Sequence, residues 1–157
     1  MAFATTNNHT SGRLQCRYPS GPEVVSERFV QAVTTGDLAL NNFGWIGILP
    51  AGCVPIGVRV FASDIDSSTA AAVFDVGILD AAETAFSTAA ADGGGTWGTT
   101  GAAVATAFDK DLTRTLNNMA NVTKTSTDRK IGIKVATAPT TAVAGTLGLE
   151  LMYRSGD

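Results

Sequence analysis

Apolar residues at every second position, in short runs divided by turn formers, constrain this chain more than any other feature. The last run is the clearest: Leu147, Leu149, Leu151 and Tyr153 alternate with Gly148, Glu150 and Met152. A period of two places one set of side chains on one face of a strand and the other set on the opposite face. The same alternation sets Ile131, Ile133 and Val135 against Gly132 and Lys134, and Ile56, Val58 and Val60 against Gly57, Arg59 and Phe61. Between Glu23 and Val33 it sets Val25, Phe29 and Val33 against Ser26 and Arg28, and Ala72–Leu79 reads as a further strand with Asp75 among apolar neighbours. Trp45–Leu49 is apolar on both faces. Pro50-Ala51-Gly52, Asp64–Ser68 and Pro139-Thr140-Thr141 supply turns between these runs. Alternating runs with regular turns predict a mainly β fold, an antiparallel β-sandwich or jelly roll.

A length of 157 residues with 45% hydrophobic side chains suits one core with an appendage. Residues 1–21 are polar, carry Gly12, Pro19 and Gly21, and read as an extended N-terminal arm; 22–157 is the predicted sandwich domain. A segment of that composition buries too little to offset its own ordering, so it is expected to lie against a partner, a neighbouring subunit first of all. Residues 81–108 form an Ala/Gly-rich insertion: a helical turn is predicted within Ala81–Ala91, another within Gly101–Lys110 with Val104 and Phe108 on one face, and Gly93-Gly94-Gly95 between them. Leu112–Met119 reads as a short strand. Long excursions of this kind commonly contact another molecule.

Charge and residue counts narrow the chemistry. A net charge of −3, with only 16% charged residues, offers no basic surplus for nucleic acid. The lone histidine, His9, lies in the polar arm, which argues against histidine-dependent nucleophilic catalysis and multi-histidine metal sites. No enzyme activity and no cofactor are expected. Cys16 and Cys53 are too few for a disulfide framework, and free thiols are expected. Neither a signal peptide nor a membrane-spanning run is read, so synthesis in a cytoplasm without membrane contact is the expectation.

The remaining candidates each have a plain alternative. Asp64 and Asp66 with Ser67 and Ser68 suggest a calcium loop, but the required glycine is missing and a solvated turn fits better. Asp109 and Asp111 sit at a spacing that two carboxylates could share on one strand face, without an aromatic cleft beside them. Gly93–Gly95 lacks the lysine of a phosphate loop and reads as a flexible connection. Trp45, inside an apolar run, is expected in the core; Trp97, beside glycines and threonines, is weighed evenly between a core lid and an interface anchor.

The runs WIGILPAGCVPIGVRV, DIDSS leading into AVFDVGILDA, and GTLGLELMYRS resemble small virion proteins of tailed bacteriophages, of the kind that decorate or cement the capsid. In that comparison Leu49–Gly52 and Val76–Ile78 are the recurring pieces. The resemblance implies a β-sandwich or jelly roll, a homotrimer placed where capsomers meet, the major capsid protein as partner, and a location on the virion surface after synthesis in the host cytoplasm. It implies no catalytic or binding residue. Few charges and many small residues agree with this, since obligate interfaces are less charged than transient ones. Arg13, Leu14, Arg17, Tyr18, Trp97 and Phe108 are the expected interface residues. Removing the arm is expected to leave the core folded and weaken attachment. The alternatives are a tail or head–tail joining protein, and an exposed module that binds host-surface glycan through an aromatic platform at Trp97.

Overall fold

The computed structural model describes residues 3–68, 71–101, 107–114 and 118–156. Two antiparallel sheets result from the alternation. One holds β1 (Val24–Val33), β9 (Gly145–Ser155), β3 (Cys53–Ala62) and β6 (Phe108–Asp111), in that order. The other holds β2 (Phe43–Leu49), β8 (Arg129–Thr137), β4 (Val73–Ile78), β5 (Gly98–Thr99) and β7 (Thr113–Arg114). Their inner faces meet in one apolar cluster, the β-sandwich that the two-residue period requires. Val25, Phe29 and Val33 of β1 point into it, as do Ile131, Ile133 and Val135 of β8 and Leu147, Leu149, Leu151 and Tyr153 of β9.

Two bulges correct the predicted faces. In β3 the register with β9 runs from Pro55–Tyr153 directly to Gly57–Met152, so Ile56 is an extra residue. Pro55 has no N–H for a ladder, and a bulge is where a strand accommodates it. Ile56 is thereby half-buried on the outer face rather than aligned with Val58 and Val60. In β2 the register jumps from Trp45–Gly132 to Gly47–Ile131. Ile46 and Leu49 consequently both face the core, while Trp45 turns outward and is only half-buried.

The insertion is a folded connection. Its first half is a tight hairpin: Leu79 and Phe86 form a bridge, and Ser87 N donates to Ile78 O at 2.8 Å. The helical turn expected within Ala81–Ala91 shrinks to one 3-10 turn at Ala90–Asp92. Phe108 lies in strand β6 rather than on a helix, and residues 102–106 with Val104 fall outside the described residues. Of the predicted Leu112–Met119 strand, Thr113–Arg114 forms β7, 115–117 lie outside the described residues, and Met119 opens a 3-10 turn to Asn121. Leu79 and Phe86 fold back over the outer face of the β2 sheet, where Gly132 and Gly77 leave room for them. Gly93, at φ 90°, lies against the Asn118 carbonyl, where a Cβ would overlap it. The glycine run is therefore a turn packed at Gly93, and it delivers Trp97 into the core.

Candidate assembly surface

Strands β1 and β2 are edge strands of their sheets, and the open seam between them is filled by the arm. Phe3 is the plug at one end, lying against Gly44 of β2, where any Cβ would collide with its ring. Ala4 N donates to Asp37 Oδ1 at 2.8 Å, Thr5 Oγ1 to Ala32 O at 2.6 Å, and the buried Gln31 side chain to Thr5 O at 2.7 Å. Asn7 reaches across to β2, donating from Nδ2 to Ile46 O at 2.7 Å. Its Oδ1 accepts from His9 N and Thr10 N at 3.0 and 2.9 Å, an Asx turn that aims the imidazole inward. His9 meets the Phe29 ring edge-on with centroids 4.7 Å apart. Farther along, Arg17 N donates to Glu27 Oε1 at 3.0 Å, and Tyr153 Oη donates to Arg17 O at 2.6 Å. The arm thus lies on its own sandwich, where the sequence placed it on a shell or neighbour. Among the described residues of the arm, Phe3 is its one large apolar plug, too sparse a signal for any periodicity.

Along the outer side of this strap the expected contact residues divide. Arg13, Leu14, Arg17 and Tyr18 are exposed, Leu14 at 52% and Tyr18 at 63%. Leu14 and Tyr18 line a groove of about 300 Å³ with Cys16, Ile48, Pro50 and Asp128. Asp128 closes it by accepting from Tyr18 Oη at 3.3 Å and Ala51 N at 2.8 Å. Burial, and then the charges of Glu27 and Asp128, push the Cys16 thiol up to about 12, so it is protonated at neutral pH. Burial likewise raises the Tyr153 hydroxyl, which keeps it a donor to the strap. Cys16 and Cys53 are both free.

Trp97 takes the core side of the two places weighed for it, and Trp45 leaves its expected place in the core. Trp97 is completely buried in its own chain, with its indole N–H donating to Asp92 O at 3.1 Å. Phe108 is buried too, stacked on Phe74 with centroids 6.2 Å apart. Neither side chain reaches the surface, so both leave the set of expected contact residues, and Trp97 is no platform for a sugar. Trp45 stands instead on the outer face, its ring covered by the Lys130 ammonium at 4.5 Å. Phe43 lies nearby, edge-on to Phe86 at 5.2 Å. The β2 bulge lets Ile46 and Leu49 both face the core with Trp45 outside, and no sequence period announces it.

The acidic candidates are held by the chain itself. Asp66 is fully buried. Its Oδ1 accepts from Ser68 Oγ at 2.9 Å and Thr141 N at 3.0 Å, and its Oδ2 from Thr140 N at 3.1 Å and Ala71 N at 3.2 Å. Desolvation pushes this carboxyl up, but the bonds from Thr141, Ser68, Thr140 and Ala71 outweigh it and hold it at about 2. The expected solvated turn is a buried latch between the loops that follow β3 and β8. Asp109 and Asp111 flank one guanidinium, that of Arg59, at 3.3 and 3.2 Å across the β3–β6 pair.

Comparison with known proteins finds no match among protein families and none among curated proteins. Among solved structures, the chain is similar to a chain in the capsid of Ralstonia phage GP4, with 23% identity, a TM-score of 0.76 and 97% of each chain covered. A chain in the capsid asymmetric unit of cyanophage Pam1 aligns over 96% of each chain with 19% identity and a TM-score of 0.47. The first likeness shows that this sandwich, strap included, is a fold found in a phage capsid.

Proposed function

We infer that the chain is a structural virion protein that decorates a phage capsid, bridging neighbouring capsomers as an oligomer in contact with the major capsid protein. The observation that carries this reading is the end-to-end likeness to a chain of a phage capsid. The surface supports it: few charges, several of them paired, and exposed Leu14 and Tyr18 beside a groove of mixed polar and apolar lining. In this reading residues 22–157 are the rigid body, and the outer side of residues 1–21 is the contact. Avidity supplies the stabilisation, since an oligomer that closes several weak contacts at once dissociates slowly.

The test mixes the purified chain with capsid shells lacking it. Cosedimentation with the shells and a raised shell melting temperature are expected. Leu14→Ala with Tyr18→Ala should weaken cosedimentation while leaving the chain's own Tm nearly unchanged, because both side chains point outward. A chain that ignores the shells would overturn the reading.

A further inference from the structure

Strand β1 has a free backbone edge, and its polar groups follow from the register. Thr146 of β9 directs its carbonyl to β3, since it accepts from Ser63 N at 2.9 Å. Its cross-strand partner Ala32 therefore turns its own N–H and C=O away from β9, as do Val30, Arg28, Ser26 and Val24 at alternate positions of an unbroken register. Thr5 of the strap accounts for Ala32 O. From Val24 to Val30 the row faces outward, flanked by valines that are 51% and 48% exposed. Such an edge is a template for another strand.

We propose that β1 pairs antiparallel with β1 of a second copy about a two-fold axis at Glu27, joining two four-stranded sheets into one. The register is the longest that leaves Ala32 to the strap and keeps Arg28 from facing itself. It sets Val24 opposite Val30 and Ser26 opposite Arg28. Ser26 Oγ donates to Glu150 at 2.7 Å, and in this register that pair meets the other copy's Arg28, whose guanidinium lies over the Phe61 ring of its own chain at 3.9 Å and stands across from Glu150 of its own β9. Pairing draws each Arg28 from its own Phe61 to Glu150 of the other copy, twice by the symmetry. The disfavoured pair is Glu27 opposite itself on the inner side, where each carboxylate accepts from Arg17 N at 3.0 Å. The pairing rests on the strand edge and not on the virion reading, and its two-fold symmetry differs from the trimer that the family resemblance implies.

Light scattering on the purified chain should give twice the 16.1 kDa of one chain. Val30→Lys, on an outward-facing position, should return it to one copy with an unchanged circular dichroism spectrum. Glu27→Gln, by removing the like-charge pair, should tighten the dimer by about 2–5-fold. Hydrogen exchange should find the amides of Val24, Ser26, Arg28 and Val30 protected in the wild type and fast in Val30→Lys. A wild-type monomer at the highest soluble concentration overturns the proposal, as does a trimer, or a dimer whose β1 amides exchange freely. A dimer that ignores capsid shells would sink the virion reading and leave this one standing.

Discussion

Asp66 shows how one buried carboxylate can join two loops that sequence separates widely. It is charged at neutral pH because the chain surrounds it with donors, and its folded value of about 2 lies below the ordinary 3.8. A depressed folded value contributes stability that is complete above the unfolded value and is lost as pH falls through the folded one. Asp66→Asn should therefore lower Tm by several degrees at pH 7, and the gap to wild type should close as pH falls from about 4 to about 2. Calorimetry at those pH values checks this; an equal gap throughout would show that the charge is irrelevant. The glycine run offers a second contrast at this scale. Gly94 has φ 76° and open space around it, whereas Gly93 has φ 90° and the Asn118 carbonyl against it. Gly94→Ala should cost about 1–2 kcal/mol of left-handed strain. Gly93→Ala should cost clearly more, measured by urea denaturation, because the peptide at Asn118 must also move.

The strap is the element whose role changed most between sequence and structure. A polar segment carries no periodicity, so its attachment hangs on isolated residues: Phe3 against Gly44, the Asx turn at Asn7, and His9 against Phe29. Removing it opens the seam between β1 and β2, so the arm and the sandwich should not melt independently. Phe3→Ala should cost about 3 kcal/mol, or roughly 6–12 °C in Tm for a chain of this size. Deleting residues 1–18 should cost more than Phe3→Ala, and an unchanged Tm on deletion would make the strap a mere passenger. The strands themselves were legible, because Val25, Phe29 and Val33 or Leu147, Leu149 and Leu151 repeat a period that only one face of a sheet satisfies. The bulges were not. One extra residue at Ile46 or Ile56 reverses which side chains face inward, and nothing in hydrophobicity marks where it falls. That is why the apolar run at Trp45–Leu49 reads as placing Trp45 in the core, while the burial of Trp97 depends on the fold of the 81–108 connection. The site was less legible still: exposed Leu14 and Tyr18 stood within the expected set, but the β1 edge depends on strand order, which is a long-range property.

At the scale of the whole molecule, several of the few charges are paired within the chain. Arg59 is taken by Asp109 and Asp111, Arg129 by Asp92, and Lys130 by Glu83. Large apolar side chains also stand on the surface: Leu14, Tyr18, Val24, Val30, Leu40 and Val143. Contacts made through Val24 and Val30 rest on backbone hydrogen bonds and on apolar burial, neither of which salt screens. The complementary contact, Arg28 with Glu150 of the other copy, forms once on each side of the axis at the rim, where exposed pairs contribute about 0.2–1 kcal/mol each. Self-association should consequently change by less than about fivefold per such pair between low and high salt. Dilution calorimetry at two temperatures should find the association enthalpy growing more negative on warming, the heat-capacity sign of apolar burial. An association that collapses a hundredfold in salt would mean that charge, and not the strand edge, holds the copies together. The surface that matters would then be the exposed Arg13 and Arg17 on the strap.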